Sequence, residues 1–283
     1  MSTRPMLEQV FQPHGRGLLL RVCEWEGDGP PIVVMHGFLE QGAAWHEVAQ
    51  HLTRRMVAPD QRGHGRSGHV GTGGFYHFWD YIGDLDALVD HLGGSVDLVG
   101  HSMGGTVACY FAGTRPECVR RLVLVEGLGP PDMTTTVVDR ARRFLDDLKR
   151  GPTHRPLASV DDAVRRIHAY NPALPHDVAV RLAARNTRLQ DDGTLTWTWD
   201  ALHRARNPVP FQIDMFRHFL GNIRMPVTIV RGGRSTFVLS DEDERIAALG
   251  TDEVAIHVVE EAGHLVHHDA PQKLAHIFEA ALS

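Results

Sequence analysis

Short apolar runs and longer stretches of helical period take turns along the first 127 residues. Runs at 31–35, 54–58, 96–100 and 121–126 have strand length, and most are dense in Val, Ile and Leu, as strands covered on both faces require. Between them, apolar positions recur at helical spacing over 45–53, 77–92 and 102–114. This alternation predicts a parallel sheet with helices on its faces. Ahead of it, residues 7–26 predict two antiparallel strands about the turn Pro13-His14-Gly15-Arg16-Gly17.

The alternation stops at Gly127. Helical patterns at 134–150, 160–170, 176–187 and near 211–221 follow, punctuated by Pro152, Pro156, Pro172, Pro175 and Pro208. Strand patterns return at 226–230 and 254–259, and a last helix is expected at 271–281. The expected organisation is a core of residues 1–127 and 223–283, interrupted by a helical segment at 128–222.

Composition adds bounds rather than detail. A chain of 283 residues with 42% hydrophobic and 23% charged positions can bury a sizeable core. A net charge of −6 gives no electrostatic reason to expect nucleic acid as a partner. The start of the chain lacks the apolar core of a signal peptide, and no run is long enough to span a bilayer. A cytoplasmic protein without a membrane partner is expected. Cys23, Cys109 and Cys118 lack metal-ligand spacing and suit a reducing compartment. Composition says nothing about oligomeric state.

Candidate chemistry begins at Gly100-His101-Ser102-Met103-Gly104-Gly105, between a strand pattern and a helix pattern. In that context G-x-S-x-G is a nucleophile elbow, which raises the Ser102 hydroxyl at a helix N-terminus. A serine after a strand is otherwise often a helix N-cap. Three further stretches stand beside it in chain order. They are His36-Gly37-Phe38 after the strand at 31–35, Asp60-Gln61-Arg62-Gly63-His64-Gly65-Arg66-Ser67 after 54–58, and Ala262-Gly263-His264 after 254–259.

Together these motifs resemble the alpha/beta-hydrolase superfamily over almost the whole chain. The resemblance implies an α/β fold with a mostly parallel eight-stranded sheet flanked by helices, and a helical lid at 128–222 inserted after strand 6. It implies Ser102 as nucleophile, His264 as base, and the Phe38 and Met103 N–H groups as the oxyanion hole. The Asp60 loop resembles a scaffold element without chemistry, and His36 is expected to support the oxyanion loop by hydrogen bonding.

The third triad member departs from the common pattern. An aspartate usually follows the seventh strand, but the matching stretch Gly232-Gly233-Arg234-Ser235 carries a serine. Some members place the acid after the sixth strand, where Glu126 stands. Glu126 is therefore the expected acid, with Asp241, Asp243 and Ser235 as the alternatives. A serine rather than an aspartate at 102 argues against haloalkane dehalogenase and epoxide hydrolase chemistry. The Trp197-Thr198-Trp199-Asp200 stretch resembles the serine hydrolase-like proteins. The expected activity is hydrolysis of small to medium carboxylic esters, with carbon–carbon bond hydrolysis, perhydrolase or haloperoxidase activity, or a ligand receptor retaining its triad as alternatives. His264, His267 and His268 lie close together, but no carboxylate or cysteine stands at ligand spacing beside them. Neither a metal nor another cofactor is expected.

Overall fold

The computed structural model describes residues 4–15, 17–71, 73–172 and 174–283, so Arg16 of the expected turn lies outside the described residues. Strands β1 (Leu7–Phe11), β2 (Leu20–Trp25), β3 (Asp28–Met35), β4 (Arg54–Pro59), β5 (Val96–His101) and β6 (Val119–Val125) build the first part of one sheet. After a small hairpin of β7 (Thr187–Leu189) and β8 (Leu195–Trp197), β9 (Val227–Gly232) and β10 (Val254–Val259) complete it. The eight strands lie in the order β1-β2-β4-β3-β5-β6-β9-β10. Pairing is parallel from β4 to β10 and antiparallel at β1, β2 and β4.

Successive side chains of a strand point to opposite faces, and β3 shows both cores at once. Val33 and Met35 join one cluster with α2 (Phe78–His91) and α3 (Met103–Thr114), whereas Ile32 and Val34 join the other. That second cluster holds Trp45, α1 (His46–Ala49) and, at the chain's end, Leu274 and Phe278. Helix α1 is shorter than the expected 45–53, because a 3-10 turn at Gly42–Trp45 takes its start.

Between β6 and β9 the chain forms α4 (Val137–Arg150), α5 (Val160–Tyr170), α6 (His176–Asn186), the β7–β8 hairpin and α7 (Ile213–Leu220). The hairpin was not expected from the sequence, since three-residue strands are too short to show a period. Helix α8 (Glu242–Ala247), between β9 and β10, was missed for the same reason. Helices α9 (Val266–Asp269) and α10 (Pro271–Ala281) end the chain, with Pro271 in the first turn of α10, where its missing N–H costs nothing.

The inserted segment is unevenly packed. Leu157, Ala163, Val164, Leu174, Ala179 and Ala183 form a small core of their own around α5 and α6, whereas no residue of α4 is buried. Among the described residues no helix is long and apolar enough to cross a membrane.

Candidate active site

The loops leaving the C-terminal ends of parallel strands converge at one place, as open α/β sheets require of their sites. Ser102 follows β5, Glu126 follows β6, Gly37 and Phe38 follow β3, and His264 follows β10. Ser102 takes φ 51° and ψ −116°, a left-handed backbone that costs energy for any residue with a side chain. It is held by hydrogen bonds from its N–H to the Val125 carbonyl (3.1 Å) and from Gly105 N–H to its own carbonyl (3.0 Å). A side chain at Gly104 would collide with the Met35 carbonyl, so glycine here serves close approach of β3 to the elbow. The Ser102 side chain caps no N–H of α3, so the N-cap reading does not describe it.

Glu126 also has positive φ (52°). Its Oε1 accepts from Gly232 N–H at 2.7 Å, and its Oε2 accepts from the Ser235 hydroxyl at 2.5 Å and lies 3.0 Å from His264 Nδ1. The carboxylate is 4% exposed and ties the ends of β6 and β9 to the histidine loop. Ser235 thus spends its hydroxyl proton on the carboxylate. Asp241 pairs instead with the buried Arg245 at 3.0 Å, and Asp243 lies in α8. Among the described contacts neither aspartate reaches His264.

His264 is 23% exposed and lines the same cavity as Ser102. Among the described contacts the two share no hydrogen bond. Phe38 N–H has no partner among the described residues, and Met103, the first residue of α3, has no carbonyl one turn back within its helix.

Beneath these groups lies a network the sequence did not reveal. Glu40 Oε2 accepts from Gly37 N–H at 2.7 Å and meets His101 Nδ1 at 2.9 Å, while Oε1 meets His267 Nε2 at 3.0 Å. His101 Nε2 in turn lies 2.9 Å from the His264 carbonyl oxygen. One carboxylate therefore joins the Phe38 loop, the serine elbow and the histidine loop. Burial opposes charge on both Glu40 and His101, but His267 and His101 together outweigh that penalty for Glu40, and Glu40 outweighs it for His101. Glu40 is held well below the ordinary carboxylate value and His101 above the ordinary imidazole value. Burial pushes His267 and His268 below it, against the pull of Glu40. An acidic residue within Phe38-Leu39-Glu40-Gln41 was a visible signal, but its histidine partners lie 61 and 227 residues away.

The expectation that no carboxylate stands beside His267 and His268 needs correcting. Glu40 brings its oxygen within 4.8 Å of ligand atoms from both, a donor set that a divalent cation accepts. Here the Glu40 oxygens are engaged by His267, His101 and Gly37, while Nδ1 of both His267 and His268 is buried with no hydrogen-bond partner among the described residues. His36 buttresses the neighbouring loop, accepting from Gln61 N–H at 2.9 Å. Asp60 accepts from Gly42 N–H and Arg66 N–H, which accounts for its scaffold role.

Two cavities meet at Ser102 and Phe38. The smaller, about 380 Å³, runs under α5 and α6 past Tyr170, Asn186 and Trp197. The larger, about 630 Å³, runs past Phe75, Trp79, Tyr110, Met133 and Phe211 toward α4.

Sheet order and the site at the strand ends define an alpha/beta hydrolase. The chain matches the alpha/beta hydrolase fold family over residues 30–271 and belongs to it. It is similar to a serine hydrolase-like protein of Danio rerio, 29% identical over 262 residues covering 88% of this chain and 80% of that one. It is also similar to the esterase Rv0045c of Mycobacterium tuberculosis, 25% identical with 93% of this chain and 86% of the other covered. Among solved structures, a thioesterase domain from the curacin biosynthetic pathway matches with a TM-score of 0.85 and 30% identity, covering 97% of this chain and 99% of that domain.

Proposed function

We propose that this chain is a serine hydrolase cleaving small to medium carboxylic esters through an acyl-enzyme. The observation that carries the reading is the Glu126 carboxylate against His264 Nδ1, with Ser102 on the wall of the same cavity. Esterase and serine hydrolase-like relatives support it. In this mechanism His264 Nε2 takes the Ser102 proton as Oγ attacks the ester carbonyl. The carbonyl oxygen becomes an oxyanion between Phe38 N–H and Met103 N–H, each donor contributing about 10²–10³ in rate. Collapse expels the alcohol, which takes the proton from His264. Water, deprotonated by His264, then releases the acid and restores Ser102. Glu126 accepts from Nδ1–H throughout, fixing the imidazole tautomer and stabilising its charged form. Residues 128–222 act as a lid that walls both cavities and excludes water. No step requires a metal or organic cofactor.

A fluorophosphonate probe tests the assignment. One label is expected on the native protein and none on Ser102→Ala, together with multiple turnover of p-nitrophenyl esters by the native protein alone. Labelling that persists in the variant would overturn it.

A further inference from the structure

The two cavities differ in charge as much as in size. Arg166 in the smaller one is neutralised by Asp162 at 3.1 Å. In the larger one stand Arg140, Arg204 and Arg206, none with an ion-pair partner among the described residues. The acid lining that cavity is Glu126, already engaged by Gly232, Ser235 and His264. Asp147 accepts from the Arg206 backbone N–H at 3.3 Å and is paired with Arg150.

Arg140 is the informative member. Its Nη2 donates to the Asn207 carbonyl at 3.1 Å, but its Nε is buried with no acceptor. A buried donor left unmet is costly, and native structures normally supply it with a partner or a ligand. Burial and the neighbouring Arg206 charge both push the Arg140 guanidinium below its ordinary value. Burial also holds His203, on the same wall, at about 4, so the arginines carry the positive charge there.

We propose that the larger cavity receives a substrate arm with an apolar body and an anionic group, the body packing on Phe75, Trp79, Tyr110 and Phe211 and the anion meeting Arg140 and Arg206. Arg204 and Arg206 are exposed, which places the cationic edge where that cavity opens to solvent. The proposal deepens the ester-hydrolase reading by naming its substrate class, and rests on Ser102 as the reacting residue. The anion has two chemical sources: a carboxylate at the far end of the acyl chain, or a phosphate on the leaving group.

Matched pairs separate them. The first is p-nitrophenyl octanoate against the mono-p-nitrophenyl ester of suberate, equal in chain length and differing in a terminal carboxylate. The second is octanoyl-N-acetylcysteamine against octanoyl-coenzyme A, differing in the phosphates of the leaving group. A charge-assisted contact predicts a preference in kcat/KM for the anionic member of one pair by roughly tenfold to a hundredfold. Which pair shows it identifies the source. The preference should weaken in raised sodium chloride and collapse in Arg140→Gln/Arg206→Gln. Because each preference is a ratio within one protein, general loss of folded enzyme leaves it unchanged. Absence of preference in both pairs, or a preference surviving in the double variant, overturns the proposal. Calorimetry on Ser102→Ala with monomethyl suberate against methyl octanoate reads the carboxylate source without turnover. If the native protein cleaves no ester and the fluorophosphonate spares Ser102, the hydrolase reading fails, and tighter binding of the suberate still upholds the anion site.

Discussion

The loops at the strand ends and helix α4 both contribute to the wall of the larger cavity, yet they are held in unlike ways. On the sheet side, Ser102 and Glu126 keep positive φ angles because hydrogen bonds to Val125, Val230, Gly232 and Ser235 over-determine them. On the other side α4 buries nothing, and Val138, Leu145 and Leu148 are exposed. Its ties to the rest of the chain include a Phe144 ring set edge-on against Phe75, the Arg140 bond to Asn207 and the Arg206 N–H bond to Asp147. Helices α5 and α6 fall between these extremes. They have their own core, and the segment around them is clasped to the sheet domain by Gln41–Asn186, Glu8–Arg185 and Tyr76–Asp200 contacts. The difference teaches a division of labour: the residues proposed to react sit where packing leaves one arrangement, and the wall proposed to meet substrate sits where little stability depends on it.

Four measurements break or sharpen this comparison. The largest effect is expected at Glu126→Gln, which keeps the shape but loses the charge facing His264. Loss of the equivalent carboxylate in a serine protease costs on the order of 10⁴ in kcat. A similar fall is expected, with the far-ultraviolet dichroism of the native fold retained. Asp241→Asn and Asp243→Asn should leave kcat near native, and the opposite pattern would put the acid after β9.

Next comes Glu40→Gln, which strands a buried imidazolium. Breaking a buried pair in this way costs about 3–5 kcal/mol, measured by urea unfolding. The pH dependence has a definite sign. Glu40 is lowered from 4.5, so its contribution is present above that pH and lost as pH falls through its folded value. His101 is raised from 6.5, so its contribution is complete below that pH and lost as pH rises through its folded value. The stability gap between native and variant should therefore be widest between pH 4.5 and 6.5. A gap that instead widens above that range would contradict the charge assignment.

A smaller effect is expected where the insertion meets the sheet domain. Asn186→Ala removes the 2.8 Å bond from Gln41 and should cost about 1 kcal/mol. Least of all should follow from Val138→Ser and Leu145→Ser on α4, each within about 0.5 kcal/mol of native stability. A loss of several times that size would show that α4 is packed rather than loosely held.

Much of this fold was legible in the linear pattern. Buried parallel strands announce themselves as short apolar runs and helices as a 3.6-residue period, so the sheet, α2, α3 and the helices α4 to α7 could be placed to within a few residues. The elbow was equally legible, because a strand, a turn of small residues and a helix are local. Three-residue strands at β7 and β8 and the six-residue α8 were not, since such pieces hold less than one reliable period. The acid facing His264 illustrates the deeper limit. Spacing left Glu126, Asp241, Asp243 and Ser235 in competition, and only the pairing of β6 with β9 brought Glu126 and Ser235 onto one hydrogen bond and left Asp241 to Arg245. The same holds for Glu40 with His101 and His267, and for three arginines gathered at one cavity from α4 and the stretch before α7. Local order along the chain depends on neighbours a few residues apart, which the sequence carries by itself. Which distant side chains share a carboxylate or an opening depends on sheet order and loop reach, and those exist only once the chain has folded.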